Sequence, residues 1–286
     1  MKTLVKEKNK LPFILTSPHS GSKFPRGFFK NNNLNESKRK LLMVSDLYVD
    51  ELIENIKPYN LIKLLSQYSR AYIDLNRSVN EIDYTILNKK PKTYKNFSVS
   101  GYTKNGYGLI HTKTFDQKDI YKNPLSSNDI NERISKIYEP WHQQLEKKIK
   151  KLRMQNNQVF LLDFHSMPSE VFNQSQFIKK DIILGDQYGK SSNIEFTTAL
   201  KNLFEKNGLN VGMNIPYKGG FISKNYGNPS KGVHAIQIEI RRDLYMNEKE
   251  LTKKKEFEKF KSKLEVVIEN YIKTFIEKSG LEYAAQ

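Results

Sequence analysis

Residues 158–168, Gln-Val-Phe-Leu-Leu-Asp-Phe-His-Ser-Met-Pro, constrain this chain more than any other stretch. Four consecutive apolar residues, Val159 to Leu162, read as a strand buried on both faces, the pattern of a parallel sheet covered by helices on either side. The run stops at Asp163, His165 and Ser166. Polar chemistry thus gathers at the carboxyl end of a buried strand, where open α/β sheets bind ligands. His165 is either a metal ligand oriented by Asp163 or a histidine satisfied by a backbone carbonyl, and this strand alone leaves both readings open.

The remaining chain supplies further elements of the same kind. Short apolar runs predict strands near 12–16, 61–65, 181–184, 209–213 and 235–240, alternating with amphipathic stretches. Helical spacing covers 37–56, 128–155 with Pro140 as a kink, 192–207 and 248–278. The expected fold is α/β, one three-layer domain over residues 1–286 with a mixed, mainly parallel central sheet, since no Pro/Gly/Ser-rich linker divides the chain. Residues 78–128 lack periodicity and read as a long loop, with a hairpin near Tyr102 to Thr112, of the kind that forms a lid or a substrate wall.

Chemistry concentrates at the strand ends. His19 follows the first strand in Ser17-Pro18-His19-Ser20-Gly21, and Asp46 and Asp50 lie four apart on one face of the 37–56 helix, where Asp46 can point back at that loop. Arg70 and Arg77 mark an anion site, and Gly219-Gly220 lets backbone approach a ligand closely. In His234 to Arg242, Ile236, Ile238 and Ile240 share one side and Ala235 and Gln237 the other. Glu239 falls on that less apolar side, where a carboxylate is either salt-bridged, with Arg241 as the partner, or catalytic. His111 and His234 are candidates for lining a pocket, whereas His142 beside Trp141 reads as structural.

With no cysteine in the sequence, any metal must be held by His, Asp or Glu. The formal charge of +17, from 48 Lys and Arg against 31 Asp and Glu, admits nucleic acid, acidic lipid or an anionic small substrate. Its lysines are spread over helical surfaces with Glu and Gln between them, which is the pattern of a solvated face, and no nucleic-acid motif accompanies them. No stretch is long enough to span a membrane and the start lacks the apolar core of a signal peptide, so a cytoplasmic location is the default.

Taken in order, Pro18-His19-Ser20-Gly21, Ser45-Asp46, Ser69-Arg70 with Asp74-Leu75-Asn76-Arg77, Asp163-Phe164-His165-Ser166-Met167, Asn214 to Gly220 and Gln237-Ile238-Glu239-Ile240-Arg241 resemble the N-formylglutamate amidohydrolase family over roughly residues 11–247. The order is also similar to a shortened zinc-carboxypeptidase plan shared with aspartoacylase and succinylglutamate desuccinylase. The resemblance implies a divalent metal, zinc foremost, on His19, His165 and a carboxylate. The relatives' His-x-x-Glu pair would put that carboxylate at Ser22, which has none, so Asp46 is expected to supply it. Glu239 is then the base, Arg70 polarises the scissile carbonyl, and Asn76, Arg77, Arg241 and the Tyr217, Lys218, Gly219, Gly220 loop bind the substrate. The implied activity is hydrolysis of N-formyl-L-glutamate to formate and L-glutamate. The alternatives are a deacylase of another small anionic N-acyl amino acid, and a basic nucleic-acid binder, which would not explain two histidines at strand ends.

Overall fold

The computed structural model describes residues 11–30, 33–57, 61–88, 100–172 and 178–278. Six strands form the central sheet: β1 (Phe13–Ser17), β2 (Ile62–Leu65), β3 (Val159–Met167), β4 (Ile182–Gly185), β5 (Val211–Met213) and β6 (Val233–Arg241), in the order β2-β1-β3-β6-β4-β5. Pairing is parallel except where β4 runs antiparallel to β6. All six strands expected from the apolar runs are present. A two-stranded ribbon, β7 (Met246–Asn247) with β8 (Thr252–Lys253), follows.

The helices are α1 (Lys38–Leu42), α2 (Val49–Ile53), α3 (Gly101–Lys104), α4 (Ser127–Arg133), α5 (Glu139–Arg153), α6 (Ile194–Lys206), α7 (Phe221–Tyr226) and α8 (Phe257–Lys278). Period-two alternation splits the sheet into two faces. Phe13, Leu15, Phe160, Leu162, Phe164, Ile236, Ile238 and Ile240 pack into one core with α2, α6 and α8, and Ile14, Leu161 and Ala235 into another with α4 and α5. Helices therefore cover both faces, as buried parallel strands require. No helix among the described residues is long and apolar enough to cross a membrane.

Several boundaries differ from the sequence reading, each for a physical reason. β3 continues to Met167 rather than ending at Asp163, because β6 pairs with it residue by residue from Val159↔Val233 to Met167↔Arg241. Asp163 and His165 are thus ladder residues on one face, while Phe164 fills the core on the other. The helix expected over 37–56 breaks between α1 and α2, where Tyr48 takes the left-handed φ of 68°. Asp46 sits in that break, so it does not share a helix face with Asp50. In place of a hairpin at Tyr102 to Thr112 stands α3, capped by Ser100, followed by an isolated bridge between Tyr107 and His111. The 128–155 helix starts earlier, with the Ser126 hydroxyl capping Asp129 N, and passes through a π-helical turn, Ile134–Tyr138, just before Pro140. A proline there lacks an N–H and crowds the carbonyl four residues back, which a wider turn relieves. The last helix starts at Phe257, not 248, because β7 and β8 occupy part of that span.

Candidate active site

Three separate segments deliver three ligand atoms to one point. His19 lies two residues past β1, His165 is on β3, and Asp46 is in the break between α1 and α2, where its backbone N–H donates to His19 O at 2.9 Å. His19 Nδ1 and His165 Nδ1 stand 3.0 Å apart, and Asp46 Oδ2 is 3.5 Å from the first and 3.2 Å from the second. All three residues are buried, with their ligand atoms within 4.8 Å of one another.

The far side of each ring faces a carboxylate: His19 Nε2 meets Asp74 Oδ1 at 2.6 Å, and His165 Nε2 meets Asp163 Oδ2 at 2.9 Å. These contacts assign the proton of each neutral ring to Nε2 and turn both Nδ1 lone pairs toward Asp46. With both rings neutral, three acceptors face one another, and only a positive charge, either a proton on His165 or a metal ion, relieves their repulsion. The nitrogen and oxygen donor set suits a divalent metal. Electrostatics agree. Burial works against a charged His165, yet Asp163, Asp46 and Glu239 outweigh it and hold its pKa well above the ordinary value in the ion-free protein. Asp46 likewise stays ionised despite burial, through His165, His19 and Arg242.

The anchoring carboxylates are anchored in turn. Thr16, the register partner of Asp163 across β1 and β3, donates its hydroxyl to Asp163 Oδ1 at 2.6 Å. Asp74 accepts from Asn76 N at 2.8 Å and Arg70 Nη2 at 2.8 Å, and meets His111 Nε2 at 3.2 Å. Burial opposes its charge, but Arg70, His19 and Arg77 hold its pKa well below the usual carboxylate range. Desolvation in turn pushes His111 down to about 4.

Beside this cluster lies Glu239, the register partner of His165 and only 6% exposed. Burial, with Asp46 adding to it, raises its pKa to about 7 against the opposing pull of His165, Arg70 and Arg242. Gln237 donates its Nε2 to Glu239 Oε1 at 2.8 Å, while its Oε1 accepts from Gly220 N at 2.7 Å. One side chain thereby ties the carboxyl to the glycine loop.

A cleft of about 550 Å³ opens onto these groups, and Arg70, Asn76, Arg77, Tyr217, Lys218, Gly219 and Gly220 line it with His111. Arg77 donates Nε to Tyr107 O at 2.9 Å and Nη1 to Asn76 O at 3.0 Å, and lies 4.1 Å from the Tyr102 ring centroid. Among the described residues its ion pairing is confined to a loose contact with Asp74 at 3.9 Å. Asn76 Oδ1 accepts from Ile222 N at 2.7 Å and Nδ2 donates to Gln237 Oε1 at 3.3 Å, so its amide braces the wall.

Arg241 is not brought to the cleft. It bonds Asp181 Oδ1 at 2.8 Å and Asp243, and it leaves Glu239 unpaired by it. Its neighbour Arg242 lines the cleft instead. His234 stacks on Phe160 away from the site, and His142 bonds Leu75 O at 3.0 Å and Tyr226 Oη at 2.8 Å. Sequence reasoning missed what Asp74 and Arg242 do. The i,i+4 spacing of Arg70 and Asp74 was a signal for the first, and the Arg241-Arg242 doublet at a strand end, where alternation stops, for the second.

Comparison with known proteins points the same way. The family model described as N-formylglutamate amidohydrolase matches residues 11–246. An N-formylglutamate deformylase from Pseudomonas putida is 27% identical over 252 residues, 87% of each chain, and one from Pseudomonas aeruginosa is 24% identical over 245 residues, 85% of each. The crystal structure of an N-formylglutamate amidohydrolase from Ralstonia eutropha JMP134 superposes with a TM-score of 0.87 at 27% identity, covering 96% of both chains. A gene product from Agrobacterium tumefaciens shares the fold at a TM-score of 0.60 and 19% identity, covering 93% of this chain and 92% of that one. With the family model spanning most of its length, the chain belongs to the N-formylglutamate amidohydrolase family, hydrolases of an amide bond.

Proposed function

We propose that the protein hydrolyses the formamide of N-formyl-L-glutamate to formate and L-glutamate, with a divalent ion, zinc, on His19, Asp46 and His165. The observation that carries this reading is the pairing across β3 and β6. A buried carboxyl poised at about 7, Glu239, stands in register with a histidine whose Nδ1 faces His19 Nδ1 and Asp46 Oδ2. Such an ion supplies Lewis acidity and lowers the pKa of water toward neutrality.

This chain's residues perform the remaining work. Glu239 takes the proton of the attacking water as oxygen adds to the formyl carbon, and returns it to the departing nitrogen as the C–N bond breaks. Arg70, held by Asp74 through one Nη, faces the cleft as the cation for the developing oxyanion. Arg77 and Lys218 take the substrate's carboxylates, since Arg241, expected to share that work, is held by Asp181 and Asp243 away from the cleft. Arg77 suits it because its fork is fixed by carbonyls and not neutralised by a close carboxylate.

The test combines metal analysis of the purified protein with a panel of N-formyl, N-acetyl and N-succinyl amino acids assayed for acid release. The expected result is one divalent ion per chain and kcat/KM highest for N-formylglutamate. Equal or faster turnover of another N-acyl amino acid would transfer the assignment to that substrate.

A further inference from the structure

We infer that Arg242 is a positioning residue that turns the Asp46 carboxylate so that one oxygen is committed to the protein and the other to the metal, an inference that rests on the metal reading above. Arg242 is 7% exposed and follows directly on β6. It donates Nη2 to Asp46 Oδ1 at 3.0 Å, Nη1 to Met43 O at 2.9 Å and Nε to Ser166 Oγ at 3.0 Å. One guanidinium thus joins the end of β3, the end of β6 and the break between α1 and α2.

The consequence for Asp46 is specific. The terminal torsion of a carboxylate is broad and two-fold, so either oxygen, or neither, can face the histidines unless something selects. Arg242 selects Oδ1, which leaves Oδ2 as the atom directed at His19 Nδ1 and His165 Nδ1. The bond to Met43 O fixes the loop that carries the carboxylate, and Ser45 Oγ to Ser69 Oγ at 2.9 Å holds the residue directly before it. A planar fork makes the three bonds from three separate nitrogens at fixed directions, whereas a lysine ammonium offers its donors from a single point. Because its charge is matched by Asp46, Arg242 is not the receptor for a substrate carboxylate, although it lines the cleft.

Arg242→Met and Arg242→Lys, prepared metal-free, test the assignment through zinc affinity by chelator competition, the visible spectrum of the Co(II) form, and circular dichroism. Arg242→Met is expected to keep its fold and to lose about 10–100-fold in zinc affinity, the range for removing an outer partner of a ligand. Arg242→Lys should recover part of that loss, and the Co(II) bands of Arg242→Met should shift. Where Arg242→Met does not fold, Arg242→Lys carries the test by the same loss in smaller measure. A folded variant with zinc affinity within about twofold of wild type overturns the inference. So does an unchanged zinc affinity with a raised KM, which would make Arg242 a substrate receptor. Wild-type protein that binds no divalent ion would overturn the metal reading itself, a result separable from either of these.

Discussion

Glu239→Gln should make the protein more stable and nearly inactive at the same time. Burial raises the carboxyl from an ordinary 4.5 to about 7. At about 1.4 kcal/mol per pH unit, the ionised form therefore costs the metal-free fold about 3 kcal/mol. The sign follows from proton counting. Between 4.5 and 7 the folded state holds a proton that the unfolded chain has released, so this residue subtracts stability as pH rises through that window and subtracts all of it above. The glutamine of the variant would carry no charge and keep the oxygen that accepts from Gln237. At pH 8 the chelator-treated variant should melt higher by about 3–8 °C, taking the usual few degrees per kcal/mol for a chain of this size. At pH 4.5 the difference should largely vanish. The same substitution should lower kcat by roughly 10²–10⁴-fold in the metal-loaded enzyme, with metal content unchanged. Thermal melts at the two pH values beside steady-state kinetics decide it. If the variant were instead less stable by several kcal/mol, and its activity fell only with the folded fraction, Glu239 would be the buried partner of an arginine and not the base.

Asp163→Asn should lower zinc affinity about 10–100-fold in a chelator competition, because the amide no longer fixes the His165 tautomer; unchanged affinity would remove Asp163 from that role. Arg77→Ala should raise KM for N-formylglutamate by roughly 10–100-fold with little change in kcat, and should matter less for a substrate whose matching carboxylate is amidated. Gly220→Ala would set a Cβ 2.3 Å from Asn76 Nδ2 and 2.7 Å from its Cγ, displacing the amide from Ile222 N and Gln237. A loss in kcat/KM on the order of 10–100-fold is expected, and full activity would show that the Asn76 brace is dispensable.

The six strands were legible because each is a compact apolar run bounded by turn residues. The two faces of β6 could be read from its alternation. His19, His165 and Glu239 stood out as polar residues where such runs end or alternate, and the structure gathers them with Asp46. The path by which Asp46 arrives was not legible. Leu41, Leu52, Ile53 and Ile56 keep helical spacing through 37–56, yet Ser45 and Asp46 are drawn inward by Ser69, His19 O and Arg242, and the helix gives way. Arg241 was misplaced because two residues on from Glu239 means the same side of a strand, whereas Asp181 and Asp243 capture it at the strand's end. The role of Asp74, joining His19, Arg70 and His111, depends on chain segments that meet only in the fold. The diffuse basic charge is partly met as expected for a solvated face, by surface pairs such as Lys136 with Glu132 and Lys150 with Glu146.

The ladder between β3 and β6 has a consequence for how such a protein can vary. His165, Glu239, Asp163 and Gln237 occupy two in-register rungs on one face. Inserting or deleting one residue ahead of them in either strand would send that strand's two polar groups to the opposite face. Reaction chemistry is therefore inherited as a block and tolerates almost no change of length. Arg77, Tyr217, Lys218 and Gly219 reach the cleft from irregular segments between strands, where length and sequence change at little energetic cost. A lineage built on this plan should diversify by exchanging the molecule it accepts long before it alters what it does to it, and the substitutions that record such a shift should fall on the cleft's loops and leave the two rungs untouched.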